Sequence, residues 1–232
     1  MPDHVFVLSS GEEIPIVITT RRGMRNMTLR PRVVPRREIC LSKPWLTPTM
    51  SAMHFLERKR RWVENIYLRA PAKEPIIPGM KIEFLGRELV VVHDPMRRGN
   101  GYSSDGTQLI LGGAADMFER RLRDVIMAEF LTTVREMVHT VPREIWPRRI
   151  TVRDTTSRWG SCSTSGTISF SWRLAFAPLD VLRYVVMHEL AHRRHMDHSP
   201  EFWAYVRELY GFGVERARRW LTVHGAQLHR YF

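Results

Sequence analysis

The stretch that decides the reading is Val185-Val186-Met187-His188-Glu189-Leu190-Ala191-His192, with His195, Asp197 and His198 close behind it. His188 and His192 are four residues apart. On a helix their imidazoles share one face, one turn apart, close enough to hold a single metal ion. Glu189 is too near His188 in sequence to point at the same ion, but it can reach a water bound there and take its proton. This is the His-Glu-x-x-His pattern of a zinc hydrolase, with Glu189 as general base.

The flanking residues predict a helix over 180–192. Pro178 suits a first-turn position, Asp180 adds negative charge at the positive end, and no Gly or Pro interrupts the residues from there to His192. Val181, Leu182, Tyr184, Val185, Val186 and Met187 make the segment apolar nearly all round, so the helix is expected to be buried. Buried histidines and a buried glutamate need partners, and a metal ion provides one directly. The plainer alternative is a pair of core histidines with ordinary hydrogen bonds.

Catalytic zinc usually takes three protein ligands and leaves a fourth position open. The candidates for the third are His195, Asp197, His198, Glu201 and Glu208. His195 lies on the same helical face as His188 but seven residues on, roughly 10 Å along the axis. His198 is better placed, because Ser199-Pro200-Glu201 has the form of a new helix start that would fold His198 back over the metal. His195 and Glu208 are then expected in supporting positions or on the surface.

These residues, with Arg158-Trp159-Gly160-Ser161-Cys162-Ser163, Trp172-Arg173-Leu174, Ala177-Pro178 and His198-Ser199-Pro200-Glu201-Phe202-Trp203, resemble the YgjP-like metallopeptidases, a family grouped with the SprT-type and minimal gluzincin-like zinc peptidases. The resemblance is densest over 149–220. It implies one Zn2+ per chain held by His188, His192 and His198, with Glu189 as catalytic base, and a strand beside the site after the Trp-Gly-Ser-Cys loop. The metzincins share the spacing of the three histidines, but they carry Gly three residues after the second one, where this chain has His195.

Upstream, short β-like runs at 5–8, 14–18, 27–34 and 39–41 precede a helix over 49–68 with Phe55, Leu56, Trp62, Val63 and Ile66 inside. Pro31 and Pro35 confine their strands to edges. A hairpin at 81–92 turns at Leu85-Gly86, residues 97–101 read as a flexible basic turn, and 108–111 adds a strand. A long helix over 115–140 should pack against the metal-bearing one, and strands at 149–154 and 167–172 are joined by a loop over 159–166. The expected fold is α+β: a small β-rich N-terminal lobe over 1–112 with one helix, then a zincin-like helix and sheet metallopeptidase domain over 113–232.

For substrate, the strand at 167–171 is expected to pair its backbone with an extended peptide, with Thr167, Ile168 and Ser169 in contact and Arg158 and Trp159 on the approach. Arg158 either pairs with Asp154 or stabilises developing negative charge, and Tyr184, Tyr205 and Tyr210 are further oxyanion candidates. Two cysteines, Cys40 and Cys162, are too few for a disulfide framework and fit a reducing cytoplasm. No apolar run reaches about 18 residues, and no signal-peptide pattern is present, so no membrane partner is expected. The net charge of +12 favours polyanions. Arginine is read as spread along the chain. The competing reading is a basic nucleic-acid-associated module whose zinc is structural or vestigial.

Overall fold

Alternation of apolar and polar residues builds the first sheet. The computed structural model describes residues 4–32, 36–68, 74–155 and 158–231. Its first unit, Met1–Ala72, contains β1 (Val5–Val7), β2 (Glu13–Arg21), β3 (Thr28–Arg32) and β4 (Glu38–Pro44) in the order β1-β2-β4-β3. β2 and β4 are parallel and the outer pairs antiparallel. Ile14 and Ile16 of β2 and Ile39 and Leu41 of β4 point inward, while Val17 and Thr19 stay exposed on the other face. Pro31 lies on the edge strand β3, as its missing N–H requires; Pro35 is outside the described residues.

The inner face is covered by α1 (Thr49–Arg58) and α2 (Arg60–Leu68), which bury Ala52, Leu56, Val63 and Tyr67 against it. The single helix predicted over 49–68 is interrupted at Lys59, which leaves helical ψ and closes a turn from its N–H to the Leu56 carbonyl. Trp62, predicted inside, is exposed. The buried line steps 52, 56, 63, 67, and position 62 falls to one side of it.

The second unit, Lys73–Phe232, opens with β5 (Lys81–Phe84), β6 (Arg87–Asp94), β7 (Asn100–Tyr102) and β8 (Gln108–Gly112) in the order β5-β6-β8-β7. Leu85 and Gly86 both take positive φ, as a two-residue hairpin turn demands. The expected boundary at 112 differs from this division. Ile82, Phe84, Leu89, Val91, Leu109 and Leu111 pack into the same core as the later helices, so their sheet goes with the second unit. The predicted basic turn at 97–101 also runs into a strand, β7, whose backbone pairs with β8.

α3 (Phe118–Val138) buries Phe118, Leu122, Ile126, Phe130, Val134 and Val138, a line stepping by four along one face. β9 (Arg149–Arg153), β10 (Gly160–Cys162) and β11 (Thr167–Ser171) form a third sheet in the order β10-β11-β9. α4 (Leu179–Ala191), α5 (Pro200–Tyr210) and α6 (Val214–His224) complete the unit. The fold is α+β, with six α-helices and three small mixed sheets among the described residues. None of these helices is long and apolar enough to cross a membrane.

Charge is less evenly divided than the expected spread of arginine implies. Met1–Ala72 holds 13 basic and 6 acidic residues, so +7 of the +12 lies in the shorter unit. Arg21, Arg22, Arg25, Arg30, Arg32, Arg36 and Arg37 succeed one another with no acid between Glu13 and Glu38.

The two units have separate cores, and each core should respond to its own cavity. Leu41→Ala should destabilise the first unit and Leu122→Ala the second, each by about 2–5 kcal/mol. Calorimetry should resolve two transitions, one moved by each substitution.

Candidate metal centre

α4 is buried almost throughout: Val181, Leu182, Val185, Val186, Met187, Leu190 and Ala191 all lie in the core. Pro178 stands just before it, and Asp180 in its first turn accepts the Val181 N–H. His188 and His192 project from one face, with ring centroids 5.0 Å apart. His192 comes directly after the last helical residue, and its Nδ1 donates to the His195 carbonyl at 3.0 Å, which leaves Nε2 free as an acceptor or ligand. His195 therefore supports the site through its backbone, while its ring packs on Tyr205.

α5 brings the third histidine. Ser199 caps the helix by accepting the Phe202 N–H, and Pro200 occupies the first turn. This turn carries His198 back until its Nε2 is 3.3 Å from His188 Nε2. One nitrogen from each of His188, His192 and His198 lies within 4.8 Å of the others, and this trio is the metal-capable cluster among the described residues. Two nitrogens bound tetrahedrally to one zinc at about 2.0–2.1 Å stand about 3.3 Å apart, so the donor set fits. Asp197 instead accepts the Ser199 N–H, and Glu201 and Glu208 are outside the cluster.

Aromatic side chains wall the trio. Phe202 stacks on the His192 ring at 4.5 Å, and Trp203 lies 5.6 Å from His188 and 5.8 Å from His198. Burial pulls the His188 pKa down to about 3, helped by His192, His198 and Arg218. Burial also lowers His192. Both rings are thus held neutral, the form that binds a metal. Tyr184 Oη is 3.5 Å from His188 Nδ1, and burial raises its pKa to about 12.

Glu189 is 6% exposed, and burial pushes its pKa up to about 7 against the opposing pull of Arg158. Asp154 is taken by Arg173, at 2.9 Å, so the expected alternative of an Arg158–Asp154 pair is not formed. Trp159 packs its ring on His229 and against Gly225 rather than over the cluster.

The third sheet corrects the expected substrate strand. β11, which holds Thr167, Ile168 and Ser169, is central: β10 pairs along one side and β9 along the other. Ile168 is buried in the core, and Ser169 Oγ bonds Thr151 Oγ1 at 2.7 Å. No backbone edge remains there for a peptide. β10, three residues hidden in what reads as a loop, is a terminal strand, as β9 is on the other side. Ser171 N donates to the Trp159 carbonyl, and Ser163 N to that of Thr167. By antiparallel alternation, the backbone groups of Gly160 and Cys162 then point away from β11.

Neutral imidazoles converging on one point, with a buried carboxylate on the same helix, suit metal-assisted hydrolysis. The class is a metallopeptidase. A family model of the YgjP-like metallopeptidase domain matches residues 25–224, and the chain belongs to that family. A peptidase domain takes a protein or peptide as substrate. No curated protein matches the chain. Among solved structures, the metallopeptidase zymogen of Pyrococcus abyssi abylysin is 21% identical over 46% of this chain and 98% of that one. The TM-score of that comparison is 0.33.

Ser199→Ala should remove the cap that returns His198 to the cluster, at about 1 kcal/mol in stability. Thermal unfolding should show that loss, and metal titration a weaker affinity.

Proposed function

We propose that the chain is a zinc-dependent peptidase holding one Zn2+ through His188, His192 and His198, with Glu189 as general base. The observation that carries this is the convergence of the three ring nitrogens within 4.8 Å, with Glu189 buried on the same helix as two of them. Zinc bound there supplies a Lewis acid for the scissile carbonyl and lowers the pKa of water toward neutrality. Glu189 takes a proton from the attacking water and delivers it to the leaving amine. Its raised pKa favours that exchange, because a carboxylate near neutrality both accepts and returns a proton. The His195 carbonyl orients His192, Tyr184 lies against His188, and Phe202 and Trp203 pack against the histidine rings.

For an extended substrate we assign the outer edge of β10, where Gly160 and Cys162 offer backbone donors and acceptors beside Glu189. Arg158, exposed and without an ion pair among the described residues, is the charged group on the approach. Two free cysteines fit a reducing cytoplasm as the place of work.

A second reading rests on the seven arginines without an intervening acid at 21–37. It is a nucleic-acid-associated module in which the metal is structural. A structural site should unfold on chelation, whereas a catalytic one on a full core should lose activity first. DNA affinity that vanishes together with heparin affinity by about 150 mM salt would leave the charge incidental.

Zinc per chain, measured by elemental mass spectrometry, tests the main reading. The parent and Glu189→Gln should each hold about one zinc, and His198→Ala should hold far less. Glu189→Gln should lose essentially all peptide hydrolysis. Activity surviving in that variant would remove Glu189 from the chemistry, and equal zinc in His198→Ala would move the third ligand elsewhere.

A further inference from the structure

Gly160 is the glycine whose missing side chain leaves room for the proposed base. A Cβ built there would stand 2.5 Å from Glu189 Oε1, 2.6 Å from its Cγ and 2.8 Å from its Cδ. Gly160 does not take the positive φ that requires glycine at positions such as Gly86, Gly166 and Gly213. Its backbone is ordinary β-strand, open to any residue. The demand for glycine therefore comes from the glutamate and not from the chain's own conformation.

The strand is also fixed in place. Trp159, one residue before, is packed on Gly225 and His229, and its carbonyl accepts the Ser171 N–H at 2.8 Å. Arg173, itself buried, holds the Tyr231 carbonyl at 2.6 Å and Asp154 at 2.9 Å, which ties the C-terminal segment down behind that tryptophan. On the other side Gly160 stands opposite Phe170 in a register held by the backbone bonds of the flanking residues. A methyl group added at 160 cannot be relieved by sliding the strand, so the flexible partner, the Glu189 side chain, has to move.

We propose that Gly160 is a positioning residue. By offering bare backbone, it lets the Glu189 carboxylate lie flat against β10, between α4 and the strand edge that receives substrate. This rests on the peptidase reading for its catalytic consequence, but the contact itself does not. To reach ordinary van der Waals distance the carboxylate must shift by about 1 Å, a displacement that can cost on the order of a hundredfold in rate. The outward backbone groups of residue 160 are unchanged by the methyl, so peptide binding should be preserved.

The test compares the parent, Gly160→Ala, Glu189→Ala and the double variant. Thermal unfolding of the metal-free proteins reads the contact without any activity. Gly160→Ala should lower Tm by about 2–4 °C when Glu189 is present and hardly at all when residue 189 is Ala. On the zinc-loaded proteins with a quenched-fluorescence peptide, Gly160→Ala should keep about one zinc per chain and a KM within about threefold, while kcat falls on the order of a hundredfold. An equal Tm shift in both backgrounds, or an undiminished kcat, overturns the proposal. A parent that hydrolyses no peptide would sink the peptidase reading instead, and the unfolding cycle would still decide the contact.

Discussion

The constraint on which the second unit depends is that a helix buried on nearly every side must also carry two imidazoles and a carboxylate. Each of those groups loses hydration when α4 enters the core. The histidines meet this by becoming neutral and by finding partners, His192 in the His195 carbonyl and His188 beside Tyr184. Glu189 has a pKa near 7 for the same reason. The helix tolerates these polar groups because the remaining residues of α4 bury apolar surface against a core shared with α3, β8 and β11.

That arrangement dictates the course of the chain beyond α4. His192 ends the helix, a short turn carries His195 to His198, and the Ser199 cap restarts helical structure at Pro200. The turn has two roles: it supplies the carbonyl that orients one histidine and it delivers another. Phe202, in the first turn of α5, then stacks on His192 and closes the cluster against the core. Local capping chemistry and long-range site geometry are here the same few residues.

On the other side of Glu189 the small sheet matters for its edge. β11 is held between two neighbours and serves as the scaffold. β10 is a thin outer strand, braced by Trp159, Arg173 and the C-terminal Tyr231. A buried cation tied to the C-terminal segment thus helps fix the backbone that faces the carboxylate.

The sequence by itself determined the buried helix that carries His188, Glu189 and His192, because its apolar run and first-turn residues are local signals, and it pointed to His198 because Ser-Pro-Glu announces a helix start. These signals are carried by residues within one turn of each other. It also showed the α+β class and the long helix with its line from Phe118 to Val138. Only the tertiary structure decided that β11 is central and β10 an edge, since Gly160-Ser161-Cys162 has no strand periodicity and strand order is a property of pairing between distant segments. It likewise gave Arg173 rather than Arg158 to Asp154, turned Trp159 toward the C-terminal segment, and brought Gly160 against Glu189. Such contacts join residues far apart in the chain, where no spacing rule reaches and packing alone selects the partner.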